Sequence, residues 1–448
     1  MGTKTQKLSN VVDQIVQWQS VVVADGSTGL TAVAGRGYFI DTTSGAITVT
    51  LPASPKIGDT IIINDYASTF ATNNVTINLN GNKMEASTSN GTLSTNDQTH
   101  TLVYTDSTQG WKIVNQDTAS AIQPTFISAT GGTVTTSGDY KIHTFTGDGC
   151  FVVSSLGAGI PCAQASTVDY LVVAGGGGAN GANGGGAGGG GMRFSNSTCM
   201  PSPTTDSSLA NPTGLTISAT TYPVTVGGGG AAGPAGAVLA TSGSNSTFST
   251  ITSAGGGFSG GRSTFPINPV GANGTAGGSG GGGGGECGGS GGAGNTPPVN
   301  PPQGKNGGNA GSGSCRASGG GGGAAAAGVT GSSQNGGNGG SGSYVTGTGF
   351  AGCNGTPGPI CGARYFAGGG GGGVESTPAL GLGSNGSGGT GGGGQAGPAP
   401  NVTGAGQPGT ANTGGGGGGG SRYDCGSAPL GPGGAGGKGI VVIRYKFQ

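Results

Sequence analysis

Residues 168–178 read VDYLVVAGGGG, so that an apolar, strand-like stretch runs directly into four consecutive glycines. Successive side chains of a β-strand point to opposite faces. The two predicted faces carry Val168, Tyr170 and Val172 on one side, and Asp169, Leu171 and Val173 on the other. The same junction recurs as YPVTVGGGG at 222–230, and in reverse order as GGAGGKGIVVIRYK at 433–446. We therefore expect these strands to form a small sheet that closes a glycine-rich domain.

Glycine is concentrated in the second part of the chain. Of 113 glycines among 448 residues, 98 lie in residues 151–448. They form unbroken runs rather than the strict every-third-position spacing of collagen. The longest runs are Gly280–Gly285, Gly319–Gly323, Gly368–Gly373 and Gly414–Gly420. Only 7% of all residues are charged, which is unlike a charge-rich disordered tail. The composition therefore favours an ordered glycine-rich structure.

A polyglycine segment can adopt the polyproline-II helix, with three residues per turn and no internal hydrogen bonds. Each backbone N–H and C=O then needs a partner outside its own segment. Parallel packing of such helices in a roughly hexagonal lattice would supply those partners, and only glycine permits the close approach. At ~3.1 Å per residue, a run of seven would extend ~22 Å. We predict a polyglycine-II sandwich over residues 175–448, closed by a strand at 440–446.

The strand and glycine modules resemble the glycine-rich domain of bacteriophage tail-fibre proteins. The resemblance is carried by YKIHTFTGDGCFVV at 140–153 together with the three stretches quoted above. The modules also look like the glycine-rich adhesins at the tips of the long tail fibres of T-even-like phages, and the resemblance covers about residues 125–448. It implies a polyglycine-II sandwich whose surface loops contact a host receptor.

The first part of the chain has a different pattern. Residues 1–18 carry an apolar stripe from Leu8 to Val16 at helical spacing, which predicts an attachment or oligomerisation helix or a helix folded onto its own domain. Residues 19–117 contain short β-branched runs separated by turn residues, as in Ile47–Leu51 and Val75–Leu79. They predict an all-β domain resembling a sandwich or barrel. Residues 118–174 are predicted to be the strands that open the glycine-rich domain.

Arginines recur beside aromatic residues next to the glycine runs. A planar guanidinium and an aromatic face suit sugar rings or acidic polymers. The alternative is that each aromatic covers the end of a glycine helix while its arginine binds exposed carbonyl groups. The candidate receptor-contact residues are Arg193, Phe194, Phe258, Arg262, Phe265, Arg364, Tyr365, Phe366, Arg422 and Tyr423.

The eight cysteines all lie at or beyond position 150, and none forms a CxxC pair typical of zinc sites. Disulfides are expected, with Cys150–Cys162 and Cys353–Cys361 as the local pairs; free thiols are the alternative for a chain made in a reducing cytosol. The two histidines, His100 and His143, lie on or beside predicted strands and are expected to be packed strand residues. No metal or cofactor is expected.

A polysaccharide depolymerase would need two carboxylates on either side of the cleaved bond. Residues 151–448 contain five acidic residues, of which Glu286 and Glu375 are the candidate pair; solvated loop carboxylates are the simpler interpretation. We therefore expect a non-enzymatic virion fibre or adhesin that binds a host cell-surface glycan or outer-membrane protein. Residues 1–117 are expected to join other fibre or tail proteins, as a homotrimer or otherwise, without nucleic acid. A decoration or capsid protein without a receptor role is the alternative.

Overall fold

The computed structural model describes residues 16–118, 126–157, 166–197, 207–235, 238–261, 273–285, 288–311, 317–376, 383–398, 404–423 and 430–447. The chain forms two compact units, Met1–Pro124 and Thr125–Gln448. Nearly all regular structure is β-strand; within the described residues the one helical element is a five-residue π-helix, Gly347–Ala351. The predicted helix at residues 1–18 lies mostly outside the described residues. Gln17 and Trp18 form a strand, so a helix does not extend to position 18.

Ten strands lie in the described part of the first unit. They are β1 Gln17–Trp18, β2 Val22–Val23, β3 Leu30–Thr31, β4 Arg36–Asp41, β5 Ile47–Thr50, β6 Thr60–Asp65, β7 Val75–Asn78, β8 Gly91–Leu93, β9 Gln98–Asp106 and β10 Gly110–Thr118. One sheet has the order β1-β4-β6-β9-β10, with β2 also on β4, and the other has β3-β5-β7-β8. From β3 to β7 the chain alternates between the two sheets. β3 pairs in parallel with β5, β4 with β6, and β5 with β7. This solenoid-like winding was not predicted by the turn pattern.

The core of the first unit lies between its two sheets. In β5, Ile47 and Val49 are buried while Thr48 is exposed, as the apolar–polar alternation predicts. Val75 and Ile77 repeat this in β7. The same core includes the fully buried Trp111 from β10. β5 and β7 therefore each contribute one apolar face to the interior and one hydroxyl or amide face to the outside.

The described residues of the second unit form fifteen strands. They are β11 Ser128–Thr130, β12 Thr133–Ser137, β13 Tyr140–Phe145, β14 Gly149–Ser155, β15 Thr167–Val173, β16 Met192–Phe194, β17 Leu215–Thr216, β18 Thr221–Thr225, β19 Ser246–Phe248, β20 Ile251–Ser253, β21 Ser343–Thr346, β22 Ala363–Phe366, β23 Glu375–Ser376, β24 Arg422–Tyr423 and β25 Ile440–Lys446. One main sheet is β11-β14-β18-β19-β20, and the other is β12-β13-β25-β15-β16 with β17 on β15. β13, β15 and β25 pair in one sheet, which confirms that strands from both ends of the glycine-rich region meet. The prediction of a single sheet is wrong for the YPVTV strand, because β18 pairs with β14 in the other sheet.

Strands β15 and β25 are buried on both faces. Val172 and Ile443 face a core shared with the β11–β20 sheet. Leu171 and Val442 face a second core, shared with the β21–β22 hairpin and the π-helix. The predicted division of β15 into two faces is thus confirmed. Burial on both faces explains why these strands are continuous apolar runs rather than alternating ones.

The glycine runs form neither helix nor strand, but their backbone groups pair with distant segments. Gly414–Gly420 is buried throughout. Its amides and carbonyls exchange hydrogen bonds with six separate stretches of chain, represented by Gly177, Ala187, Gly368, Gly394, Gln407 and Gly434. Such runs therefore belong to the interior of the second unit.

Within a pairing, donors that are three residues apart bond to acceptors that are also three residues apart. Gly416 and Gly419 donate to Gly368 and Gly371, respectively. A Cβ built at Gly417 would lie 2.0 Å from the carbonyl oxygen of Gly434. The backbones are therefore too close together for any side chain at this position.

Candidate functional site

Arg193 and Phe194 lie on β16, where Phe194 pairs with Leu171 of β15. Phe194 is 1% exposed and belongs to the second core. The half-buried Arg193 donates from Nη1 to the carbonyl oxygen of Thr252 at 3.3 Å. The ring of Phe194 fills the interior, which favours the packing interpretation, while Arg193 is accessible; receptor contact at this position stays a prediction.

Arg364, Tyr365 and Phe366 form most of β22. Phe366 is fully buried, and Tyr365 is 6% exposed with its ring centroid 5.2 Å from that of Tyr344. Only the half-buried Arg364 is accessible to a partner. The two aromatic residues therefore stabilise the β21–β22 hairpin, which favours the packing interpretation; receptor contact by this segment stays a prediction. The alternation of β22 places Arg364 on the face opposite the tyrosine ring.

The remaining candidates are less completely described. Arg422 lies on β24, and its guanidinium Nη1 is 3.8 Å from Glu375 Oε1 on the parallel neighbour β23. Phe258 is half-buried beside a glycine run. Tyr423 is the second residue of β24. Arg262 and Phe265 lie outside the described residues.

Only one residue of the candidate carboxylate pair for a depolymerase lies in the described part of the chain. Glu375 is largely buried and is paired with Arg422. Glu286 lies outside the described residues. In the described part of the chain, no group of three or more His, Cys, Asp or Glu side chains could hold a metal ion.

The described cysteines are not joined to one another. Cys353 and Cys361, expected as a local disulfide, are free and exposed in the structure. Cys353 follows the π-helix, and Cys361 precedes β22, so the two thiols lie at opposite ends of the connecting loop. Cys150 is also free and exposed, and its expected partner Cys162 lies outside the described residues.

The most completely built polar cluster centres on a buried ion pair that the sequence did not reveal. Arg444 of β25 donates from Nη2 to Asp169 Oδ2 of β15 at 2.8 Å, and both side chains are 0% exposed. The other carboxylate oxygen accepts from Ser195 Oγ at 2.8 Å and from the Ser197 amide at 3.1 Å. Burial raises the pKa of the Asp169 carboxyl, while the adjacent guanidinium opposes that shift. The adjacency of two central strands brings these residues together.

Arg444 also anchors the π-helix. Its Nη1 donates to the Gly349 carbonyl oxygen at 3.1 Å, and its guanidinium lies 4.8 Å from the Phe350 ring centroid and 4.9 Å from that of Tyr140. Both side chains of the ion pair are shielded from bulk solvent. The arrangement therefore fixes the sheet to the elements packed on it, and leaves no room for a substrate.

Both histidines are packed strand residues, as predicted. His143 is fully buried; its Nδ1 lies 2.7 Å from the Gly131 carbonyl oxygen and its Nε2 3.1 Å from the Tyr445 hydroxyl. Burial lowers the pKa of His143 and likewise that of His100. A neutral imidazole fits these contacts, with Nδ1–H donating to the carbonyl and Nε2 accepting from the hydroxyl.

No helix among the described residues has both the length and the apolar character required to cross a bilayer. No curated protein matches the chain. Residues 158–446 match the glycine-rich domain family, which is more than half of the 448 residues. The match begins just after β14 and ends with the last strand of the sheet described above. The chain therefore belongs to the glycine-rich domain family.

Proposed function

We propose that the chain is a surface fibre or adhesin of a bacteriophage virion, and that its glycine-rich unit is a polyglycine-II sandwich. The observation that carries the proposal is the hydrogen bonding of Gly414–Gly420 to six other stretches of chain. Six neighbours are expected for a helix inside a hexagonal lattice. The steps of three residues between successive bonds match the three residues per turn of polyproline II.

Such a lattice would be a rigid scaffold rather than a flexible spacer. Ordering glycine costs at least ~0.5–1 kcal/mol per residue more than ordering alanine. A long run stays ordered only where dense contacts offset that cost, and buried backbone groups with partners from several segments provide them. A rigid, nearly uncharged body that carries surface loops suits an extracellular appendage, as the resemblance to tail-fibre adhesins implies.

Receptor contact is assigned to accessible residues of the second unit. The loop between β21 and β22 is exposed at Cys353, Ile360 and Cys361, and the half-buried Arg364 follows it. Arginine offers several donors for hydroxyl or acidic groups of a cell-surface glycan. Residues 151–448 carry nine Lys and Arg against five Asp and Glu, which gives mild attraction to an anionic surface.

Attachment to other virion proteins is assigned to the first unit. Trp18, Val21 and Val23, on and between the short strands β1 and β2, are 48%, 38% and 64% exposed. These three residues, called here the edge patch, lie where a sheet edge meets solvent. Exposed apolar side chains at a sheet edge favour association. The patch adjoins the apolar stripe from Leu8 to Val16 in the sequence.

Two measurements test this proposal. Antibodies against the chain should label the fibres of the virion in electron microscopy, and the purified protein should bind host cells and compete with adsorption. Labelling of the capsid or tail without cell binding would favour a decoration protein. Release of reducing ends from host polysaccharide, lost in Glu375→Gln, would instead favour a depolymerase.

A further inference from the structure

The first unit has a polar groove on the outer face of its second sheet. The groove encloses about 210 Å³ and is lined by residues 26–29, residues 46–48 and Thr76. This is smaller than the roughly 300 Å³ or more of pockets for drug-sized ligands. It leaves room for one small ring rather than an extended molecule. None of the lining residues is ionisable.

The floor of the groove is part of an ordered array of hydroxyl groups. Thr48 of β5 is in register with Thr76 of β7, which in turn is opposite Thr92 of β8. A second row on the same face contains Thr31, Thr50 and Asn78. Neighbouring strands lie about 4.8 Å apart, so the hydroxyl groups repeat at that spacing across the sheet. Within the described residues, the hydroxyls of Thr48 and Thr76 have no protein partner, and both can donate and accept.

The loop at residues 26–29 forms the wall of the groove, and Asp25 holds this loop in place. Its Oδ1 accepts from the amides of Ser27 and Thr28 at 2.9 and 2.8 Å. Its carboxylate also accepts from the hydroxyls of both residues, each at 3.0 Å. The two wall hydroxyls thus have their protons committed to Asp25 and offer lone pairs to the groove. A close backbone approach fixes the loop as well, since a Cβ at Gly45 would lie 2.5 Å from the Gly26 nitrogen.

This geometry favours a ligand with several neutral hydroxyl groups. The hydroxyl oxygens of the wall can accept hydrogen bonds, and the free hydroxyls of Thr48 and Thr76 on the floor can donate or accept them. The neighbouring hydroxyls of a sugar ring require both kinds of partner. The side chains that line the groove include no N–H or cationic donor of the kind that an anionic ligand favours. The groove is lined by residues 26–29 as well as by the threonines, and this concave shape does not match a flat surface such as ice. We propose that the groove binds one ring of a neutral saccharide.

The inference goes beyond the proposed function, because it rests on the first unit alone and does not depend on the glycine lattice or on a place in a virion. The test uses the full chain and a panel of neutral methyl glycosides of glucose, galactose and N-acetylglucosamine, with glucuronate as the anionic probe. Saturation-transfer NMR detects binding, and titration measures it. At least one neutral glycoside should bind, and glucuronate should bind more weakly.

The decisive variant combines Thr48→Val with Thr76→Val, which removes the two floor hydroxyls and keeps branched side chains. Affinity should fall about tenfold or more, with an unchanged melting temperature. The matched control, Thr31→Val with Thr92→Val, makes the same change on the same sheet face outside the groove and should bind normally. Gly45→Ala, which displaces the loop while keeping every hydroxyl, should also weaken binding.

Equal affinity in the wild type and the Thr48→Val/Thr76→Val variant would overturn the assignment. So would the absence of binding by every glycoside of the panel. Shaping of ice crystals by the wild type, without sugar binding, would assign the hydroxyl array to ice instead.

Discussion

The amide of Gly417 donates a 3.0 Å hydrogen bond to the carbonyl oxygen of Gly177, a residue far away in the sequence. Gly420, three positions after Gly417, donates at 3.0 Å to the carbonyl oxygen of Asn180, which is three positions after Gly177. Two distant segments thus run side by side with matching three-residue steps. This relationship makes the second unit a network of long-range contacts, in which one segment cannot be moved without disturbing several others.

The buried ion pair should contribute strongly to the stability of the second unit. Arg444→Met leaves the Asp169 carboxylate without its guanidinium in a site closed to water, and should lower the free energy of unfolding by about 3–5 kcal/mol. Denaturant titration measures the change. Replacing both partners, Asp169→Leu with Arg444→Met, should cost less than Arg444→Met alone.

Lys446 provides a matched control on the same strand. Its Nζ lies 3.9 Å from Asp139 Oδ2, and both side chains are partly exposed. Lys446→Met should therefore change the free energy of unfolding by about 1 kcal/mol at most. A loss as large as that of Arg444→Met would show that charge removal from β25, rather than the buried pair, causes the effect.

Acidification should destabilise the second unit through His143. Burial depresses its pKa in the folded state, so the unfolded chain binds the proton more readily. Stability from this group is complete above the unfolded value of about 6.5 and falls as the pH drops below it. We expect a melting temperature that declines between about pH 7 and pH 5.

The His143→Gln variant should have a shallower pH dependence than the wild type over the same range. His100→Gln serves as the comparison, since it changes the titration of the first unit only. An unchanged slope in His143→Gln would assign the acid sensitivity to other groups.

Substitutions at two residues of β22 distinguish a role in receptor contact from a role in packing of the β21–β22 hairpin. Arg364→Ala should leave the melting temperature almost unchanged and weaken binding to host cells. Phe366→Ala empties a fully buried site and should cost about 3–5 kcal/mol of stability. Cell binding by the folded Arg364→Ala protein at wild-type strength would remove this residue from the contact surface.

Self-association should depend on the edge patch of the first unit. Val21→Asp with Val23→Asp places two charges on exposed apolar positions and should shift any oligomer toward monomer in light scattering. Val329→Asp, at a 52% exposed position of the second unit, is the control and should not change the mass. If Val329→Asp dissociates the oligomer and the edge variant does not, the second unit makes the contact.

Local patterns predicted the strands well, because alternation and β-branching act within a few residues. The recurring junction of strand and glycines predicted the pairing of β15 with β25, but it also placed β18 in that sheet, whereas β18 pairs with β14. The Asp169–Arg444 pair was missed because it depends on strand register, and nothing near either residue indicates the other. Phe194, Tyr365 and Phe366 look alike in sequence whether they face solvent or the core. The one available signal was their position in short apolar stretches next to buried glycine runs.

The groove near Thr48 was also missed. A turn with Asp25, Ser27 and Thr28 followed by alternating threonines is common in β proteins, and only the parallel register of β5 and β7 places the threonines side by side. Threonine spacing alone does not distinguish a hydroxyl-lined groove from an ordinary solvent-facing side of a strand.

The melting temperature of Gly417→Val, compared with that of Gly228→Val, tests the glycine lattice most directly. At Gly417 a Cβ would lie 2.0 Å from the Gly434 carbonyl oxygen, whereas at the exposed Gly228 it would meet no atom within 4 Å. Overpacking costs ~1–3 kcal/mol, and each buried amide left without its partner costs ~1–3 kcal/mol more. Gly417→Val should lower the melting temperature by several degrees or abolish soluble expression, while Gly228→Val should change little. Equal and small effects at both positions would contradict the lattice and favour a flexible glycine spacer.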